Sequence, residues 1–387
     1  MNLGNMIDTV SYQKITTYPL GEYKRKALQA RYQYKCDTFT LVEDGSDYIT
    51  SIILQSAKRK DSIIIVDPCE KLYSEARAFL REENYNVNCF SDKYYSTSWS
   101  VWENTSNANE LIDAAKSLLL PLYSRLISRE VFEKIQEALI LCIASFMSYA
   151  VSTFLLYHNK FQAICDFIKM TPINSLSQIL KDTNDTTECL WNGMLSYTHD
   201  PESMVSIAFV LFNKLAKESQ NTLIGCEEYD FTQLSKIKSL CFIESRNDPA
   251  TDVLVYNSIF QNILYQEQTK GRGCAINVII NNIEKIHNKR YIYELLMLSK
   301  KYKINFFITT ASINDMFARI SHENALYILS MFHFIILRKC NSIEMKIIKD
   351  IFDIEGLCVT PKQFIISEKK AMLCNKFVVQ KQKHINC

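Results

Sequence analysis

The chain has 387 residues, 48% of them hydrophobic, which is enough for one large α/β domain or two ordinary domains and excludes a disordered or collagen-like protein. Its 44 basic residues stand against 42 acidic residues, so the net charge of +2 creates no global attraction to nucleic acid or to an anionic membrane. The 13 cysteines are an odd number without any CxxC pair, which argues against a disulfide framework and against a structural zinc site.

The first hundred residues predict strands that alternate with a helix. Short apolar runs at 38–42 (TFTLV), 62–66 (SIIIV) and 86–90 (NVNCF) are rich in β-branched or aromatic residues, as buried parallel strands are. Between the last two runs, apolar residues recur at helical spacing over residues 70–83. This pattern predicts a strand, helix, strand unit.

A helical region follows from about residue 107 to residue 221, where long amphipathic segments replace the strand pattern. Residues 138–157 of this region carry no charge, over a length that can span a bilayer. Serines and a threonine dilute the run, and charged residues lead into it without a break in the helical pattern. A buried core helix is therefore the preferred interpretation, with a membrane span as the alternative.

Strands then return in alternation with helices. The candidates are residues 239–244 (SLCFIE), 276–280 (INVII), 305–309 (NFFIT), 332–338 (FHFIILR) and 375–379 (NKFVV). The sequence therefore predicts an α/β protein with a mostly parallel sheet, helices on both faces and an all-α domain that interrupts it. The predicted domains are 1–106 and 223–387, the two parts of the α/β domain, and 107–222, the all-α domain.

The candidate site follows from this fold, because ligands of an open parallel sheet bind beyond the carboxyl ends of the strands. The first strand runs into the loop 43–50, where a phosphate loop would lie, and the second strand ends at Asp67. The strand at 276–280 leads into Asn281 and Asn282, and Ala311 follows the next strand.

One stretch of the sequence resembles a known family. The phrase IIIVDPCEKLYSEARAFLREENYNVNCFS is similar to the hallmark of TraG/TraD-type coupling proteins, the hexameric ATPases of conjugative type IV secretion. Asp67, Pro68, Glu70 and Leu72 match that hallmark, whereas Cys69 and Lys71 replace the family's Lys and Gly. Further segments follow in family order from about residue 31 to residue 379. The resemblance implies a RecA-like, P-loop NTPase-type domain that carries an all-α domain.

The phosphate-loop pattern GxxxxGK[ST] of that family is degenerate in this chain. Glu43 and Tyr48 occupy its glycine positions and Ile49 its lysine position, while Thr50 keeps the hydroxyl on the magnesium side. Gly45 and Ser46 lie within the same loop, together with the carboxylates of Glu43, Asp44 and Asp47. A phosphate charge about 5 Å from one carboxylate is repelled by about 3 kcal/mol at an effective dielectric near 20, and no lysine offsets this repulsion.

The second half of the nucleotide site is also altered. Asn281 and Asn282 stand where the family has Asp-Glu, for magnesium and for the activation of water, and Ala311 stands in place of its Gln. An amide cannot act as a general base and binds magnesium weakly. The resemblance therefore implies a degenerate cofactor site, formed by Gly45, Ser46, Ile49, Thr50, Asp67, Asn281, Asn282 and Ala311, without catalytic residues or metal ligands.

The leading hypothesis is a degenerate coupling protein, a pseudo-ATPase that acts as a binding or adaptor component of a type IV secretion or DNA-transfer system. No cofactor is expected under this hypothesis. One alternative is an active DNA-translocating ATPase with an atypical site, which would use ATP and Mg²⁺. The other alternative, under which the resemblance is accidental, is a non-enzymatic α/β interaction module unrelated to conjugation.

The resemblance implies a protein partner from a conjugation apparatus: a relaxase, an accessory protein or a true coupling protein. DNA contact through short basic clusters is left open, with solvated helix ends as the alternative; the clusters are 24–26, 58–60, 270–272 and 300–303. About 37 mostly polar residues precede the first predicted strand, too few for the family's membrane helices. We therefore expect a cytoplasmic protein, with membrane contact only through a partner, and a monomer or small oligomer without nucleotide.

Overall fold

The computed structural model describes residues 17–23, 26–31, 39–43, 46–68, 71–91, 100–102, 105–155, 157, 159–218, 229–245, 248–286, 290–312, 332, 334–337, 364–367 and 370–373. The chain divides into two compact units, one drawn from 1–88, 231–246 and 261–387 and the other from 89–230 and 247–260. The predicted domain boundaries stay a prediction.

The strands of the described residues are β1 (Thr17–Tyr23), β2 (Lys26–Arg31), β3 (Phe39–Glu43), β4 (Ser62–Asp67), β5 (Asn86–Phe90), β6 (Ser239–Glu244), β7 (Ile276–Ile280), β8 (Ile304–Thr310), β9 (Phe334–Leu337), β10 (Phe364–Ser367) and β11 (Lys370–Leu373). The helices are α1 (Ser46–Arg59), α2 (Lys71–Glu82), α3 (Ala108–Leu119), α4 (Arg129–Thr153), α5 (Lys160–Met170), α6 (Ile173–Thr183), α7 (Asp185–Tyr197), α8 (Pro201–Glu218), α9 (Gln233–Lys236), α10 (Pro249–Gln268) and α11 (Arg290–Ser299).

Within the described residues, nine strands form one sheet in the order β11-β10-β9-β3-β8-β7-β4-β6-β5. The strands from β9 to β6 pair in parallel, whereas β10 runs antiparallel to β9, and β11 runs antiparallel to β10. Strand β8 lies between β3, which leads into the phosphate-loop positions, and β7, which ends just before Asn281. This is the strand order of a RecA-like sheet, and it confirms the predicted α/β fold class.

The central strands are buried along their whole length, which explains their apolar sequences. Every residue of β4, β7 and β8 is buried, because helices cover both faces of a parallel sheet. The predicted strands at 38–42, 62–66, 86–90, 239–244, 276–280, 305–309 and 332–338 are confirmed by β3 to β9, with shifts of at most two residues at their ends. The predicted strand at 375–379 lies outside the described residues.

The structure contains two hairpins that the sequence pattern does not predict. Strands β1 and β2 form a separate two-stranded antiparallel sheet in the mostly polar segment that precedes the first predicted strand. Their residues lack a clear alternation of apolar and polar side chains, which is the signal for a half-buried strand. The antiparallel strands β10 and β11 form the second hairpin, with only two residues between them, and their sequence also lacks that signal.

The helical unit is built around α4. Asparagines cap three of its helices, since the side chains of Asn107, Asn159 and Asn184 accept backbone N–H bonds at the starts of α3, α5 and α7. Phe146 of α4 packs edge-to-face against Trp191 and Phe212, with ring centroids 6.1 and 6.2 Å away. In the described part of the chain, α4 is the one helix long and apolar enough to cross a membrane, and 61% of its most apolar window is buried within the protein, as in a core helix.

Candidate functional site

The carboxyl ends of three neighbouring parallel strands bring together three of the predicted site residues, Asp67, Asn281 and Asn282. Strand β4 ends at Asp67, β7 ends just before Asn281, and β8 contains Thr309. The backbone N–H of Asn281 donates to the carbonyl oxygen of Val66 at 2.9 Å, which sets Asn281 beside Asp67. Asp67 is fully buried and Asn281 is 8% exposed. The strand ends therefore form a small buried polar group.

The side-chain amide of Asn281 links these strands at both of its ends. Its Nδ2 donates to Oδ1 of Asp67 at 2.9 Å, and its Oδ1 accepts from the hydroxyl of Thr309 at 2.8 Å. The other carboxylate oxygen of Asp67 accepts the backbone N–H of Leu72 at 3.3 Å. The amide oxygen, which is the atom that would ligate a metal ion, is thus already engaged by a protein donor.

Asn282 continues the same group through its backbone. Its N–H donates to Oγ1 of Thr309 at 2.9 Å, and its backbone is left-handed, with φ of 55° and ψ of 66°. Asparagine tolerates this conformation better than most residues with a side chain. The residue begins the short 3₁₀ turn Ile283–Lys285, which carries the chain away from the sheet.

Of the degenerate phosphate-loop positions, Ser46, Ile49 and Thr50 lie in the first two turns of α1. Ser46 is the first residue of that helix, and Gly45 lies outside the described residues. Ile49, at the position of the family's lysine, is fully buried and forms one apolar stripe with Ile52 and Ile53. The next residue, Thr50, is partly exposed. Ile49 and Thr50 take no part in the hydrogen bonds that join Asp67, Asn281 and Thr309.

Glu284 is a carboxylate at this edge that the sequence analysis missed. Its Oε1 accepts the backbone N–H of Ala311 at 3.2 Å, so it bridges the segments that follow β7 and β8. Its Oε2 is buried and has no hydrogen-bond partner. The signal in the sequence was an acidic residue three positions after Asn281, but the family pattern directs attention to the two positions directly after the strand. Ala311 itself is exposed and offers only its backbone.

A metal centre is not apparent at this site. Among the described residues, no three His, Cys, Asp or Glu side chains lie together in a way that could hold a metal ion. Asp67, Glu244 and Glu284 are carboxylates at this edge, with Glu244 paired beside Asp67 at the end of β6, and Asp67 is already bonded to Asn281. The arrangement can hold the strand ends together and leaves Oε2 of Glu284 as an acceptor.

The fold of this chain is similar to that of several solved structures. No protein-family model matches the chain, and no curated protein matches its sequence. Among solved structures, the conjugative coupling protein TrwBdeltaN70, in a trigonal form in complex with sulphate, is similar with a TM-score of 0.60 and 11% identity, over 89% of this chain and 87% of that one. The plasmid coupling protein TrwB in complex with ADPNP has a TM-score of 0.55 and 12% identity, over 89% and 78% of the two chains.

VirB4 of Thermoanaerobacter pseudethanolicus is also similar, with a TM-score of 0.53 and 9% identity over 95% of this chain and 98% of that one. At these identities the similarity shows the fold alone: the chain has the RecA-like fold of a conjugative coupling protein and of VirB4. The resemblance to coupling proteins inferred from the sequence is therefore confirmed at the level of the fold.

Proposed function

We propose that the chain is a degenerate relative of conjugative coupling proteins, a pseudo-ATPase that serves as a binding or adaptor component of a type IV secretion or DNA-transfer system. The fold shared with TrwB and VirB4 supports the secretion context. We place the protein in the cytoplasm, with membrane contact through its partner. That partner is a relaxase, an accessory protein or a true coupling protein of the conjugation apparatus.

One observation carries the pseudo-ATPase assignment: the amide of Asn281 is committed to Asp67 and Thr309. To ligate Mg²⁺, the amide oxygen would have to use the lone pair that Thr309 leaves, and any loss of the Thr309 bond would cost about 1–3 kcal/mol for a buried polar group left unpaired. The ion would gain only a neutral ligand, whereas Mg²⁺ in nucleotide sites is held by carboxylates and phosphates. The buried Ile49 offers no ammonium for the phosphates.

Titration calorimetry with ATP and Mg²⁺ tests this proposal. We expect no heat of binding for the wild-type chain at 1 mM nucleotide and no phosphate release. TrwB, whose structure is known in complex with ADP and Mg²⁺, is the positive control. Ile49→Lys is the matched variant, and we expect it to remain inactive because Asn281 is unchanged. Micromolar binding or turnover by the wild-type chain would overturn the proposal.

Glu284 favours a second candidate, an active ATPase with an atypical site. Its buried Oε2 is the acceptor that a general base needs, and its Oε1 is anchored by Ala311 at 3.2 Å. Glu284→Gln separates the two candidates. Turnover that is present in the wild type and lost in Glu284→Gln would establish the ATPase, whereas two inactive proteins support the adaptor. The unrelated α/β module would be favoured by a sheet without the RecA-like strand order, and this sheet has that order.

A further inference from the structure

Three of the four basic clusters, which are dispersed in the sequence, meet at one edge of the sheet. Strands β8, β7, β4 and β6 are parallel neighbours, so their amino ends lie side by side at the edge opposite the candidate site. Hydrogen bonds join the segments just before or at these strand starts: Ile276 N–H to Lys303 O at 2.9 Å, and Ser62 N–H to Ala275 O at 2.8 Å. The hydroxyl of Ser62 also donates to Ile237 O at 2.9 Å.

Each of three neighbouring strands is preceded by a pair of exposed cations. We call these six residues the amino-edge row: Lys58, Lys60, Lys270, Arg272, Lys300 and Lys301. Neighbouring strands are about 4.8 Å apart, so the row and the start of β6 extend over about 15 Å. Topology therefore turns three short clusters, each unremarkable in the sequence, into one continuous positive surface.

The next strand, β6, extends this surface with two lysines that are held in place by aromatic rings. The ammonium of Lys236 lies 5.4 Å from the ring centroid of Tyr265, and that of Lys238 lies 5.3 Å from the ring centroid of Tyr85. The ammonium of Lys238 also donates to the carbonyl oxygen of Glu83. These contacts restrict the two lysine side chains in the free protein, so less side-chain entropy is lost when they bind an anionic ligand.

The charge of the row is not cancelled by acidic neighbours. No ion pair joins any of its six side chains to another described residue. Asp61, the acidic residue next to Lys60, is buried and paired with the equally buried Arg59 at 2.7 Å. The exposed Glu267, at the end of α10, interacts with the hydroxyl of Tyr302. A protein with a net charge of +2 therefore concentrates a larger positive charge at this edge.

We propose that the amino-edge row binds the phosphate backbone of nucleic acid. A duplex carries one negative charge for about each 1.7 Å of its axis, so the row and the start of β6, about 15 Å together, face a length of duplex with about nine phosphates, and the row reaches those on the near side. The row is narrow and linear, as a bound backbone is. Among the described residues that lead into these strands, the large exposed apolar side chains are Ile237, Met297 and Leu298, each less than half exposed, which is too little apolar surface for insertion into a bilayer. This surface does not depend on the nucleotide site.

Fluorescence anisotropy with a labelled 20-base-pair duplex, measured from 50 to 300 mM NaCl on the full chain, tests the row. If four of its cations contact phosphates, log K should fall with log salt with a slope of about −3.6. Lys300→Ala with Lys301→Ala should make that slope shallower by about 1.8 and weaken binding at least roughly tenfold at 0.1 M salt. Lys134→Ala with Lys217→Ala, two exposed lysines of the helical unit, is the matched control and should change neither quantity.

Circular dichroism and thermal unfolding confirm that each variant is folded. Lys58→Ala with Arg272→Ala provides an independent second variant, since both side chains are exposed and belong to other strands of the row. No binding by the wild type, or an equal loss in the row variants and in the control, would overturn the proposal. So would binding to vesicles that contain phosphatidylserine, with the same dependence on the row, in the absence of binding to DNA.

Discussion

Asn281→Asp restores the carboxylate that coupling proteins have at this position, and we expect it to destabilise the fold without restoring a nucleotide site. In the wild type, Nδ2 of Asn281 lies 2.9 Å from Oδ1 of Asp67, which is fully buried. The substitution replaces this N–H donor with a second acceptor. A charge-assisted hydrogen bond, worth about 1.5–3 kcal/mol, is lost, and two carboxyl groups face each other instead.

The size of the effect follows from the distance. Two charges 2.9 Å apart repel by about 6 kcal/mol at an effective dielectric near 20. The pair can escape this repulsion by retaining one proton, which at pH 7 costs about 4 kcal/mol for a carboxyl with an ordinary pKa near 3.9. Because retaining the proton costs less than the charge repulsion, it limits the destabilisation, and we expect a loss of about 3–4 kcal/mol in the free energy of unfolding at pH 7.

The loss should depend on pH, because folding of the variant raises the pKa of the shared proton above that of the unfolded chain. A group of this kind gives its full stability below the unfolded pKa, near pH 4, and loses it as the pH rises through the folded pKa. The difference in stability between variant and wild type should therefore grow by about 1.4 kcal/mol for each pH unit above about 4, until the folded pair loses its proton.

Urea unfolding, followed by circular dichroism at pH 5 and pH 7.5, measures this difference. Asn282→Asp is the control, since it makes the same chemical change at the neighbouring residue, whose side chain is partly exposed and whose left-handed backbone also suits aspartate. We expect the control to change stability by less than about 0.5 kcal/mol at both pH values. If Asn281→Asp matches the wild type at pH 7.5, or binds Mg²⁺ and ATP tightly, the account of this edge is wrong.

Two further predictions concern the backbone and the thiols. Gly273→Ala should destabilise the chain by about 1–3 kcal/mol in urea unfolding, because φ is +138° and the new Cβ would lie 2.6 Å from the carbonyl oxygen of Ser235. Gly193→Ala is the comparison: this glycine lies in α7, its new Cβ would lie 3.4 Å from a flexible side-chain end, and the substitution should be neutral or stabilising by up to about 1 kcal/mol. Burial raises the pKa of Cys165 to about 11. Iodoacetamide at pH 8 should therefore label the exposed Cys189 and spare Cys165 until urea is added or the pH approaches 11, which peptide mass spectrometry would show. Early labelling of Cys165 would contradict its burial.

The fold was predictable from the sequence where burial alone decides the pattern. Strands β4, β7 and β8 are buried on both faces, so their sequences are continuous apolar runs that can be read without knowledge of their neighbours. The hairpin of β1 and β2 has no such run. Its pairing depends on cross-strand contacts between two short segments, which no single-segment pattern reveals.

The site was predictable in position but not in chemistry. Strand ends mark the edge of the sheet, and Asp67, Asn281 and Asn282 were found there. The sequence could not show that Asn281 donates to a residue 214 positions away or accepts from Thr309, because these contacts depend on strand order. The same holds for Glu284 and Ala311, whose proximity exists only because β7 and β8 are neighbours.

Under the proposed pseudo-ATPase function, the amide at position 281 and the isoleucine at position 49 are two consequences of one condition, a sheet edge that binds no cation or phosphate. A carboxylate at position 281 would face the buried Asp67 across 2.9 Å and would need a metal ion to offset the repulsion, whereas the amide supplies the donor itself. A lysine at position 49 would carry an ammonium in the apolar stripe of α1 and would need a phosphate to balance it, whereas isoleucine extends the stripe formed with Ile52 and Ile53. Under that proposal each residue stabilises the fold without a ligand at the position where the family residue would depend on one, which is a physical reason for a degenerate relative of coupling proteins to lack both.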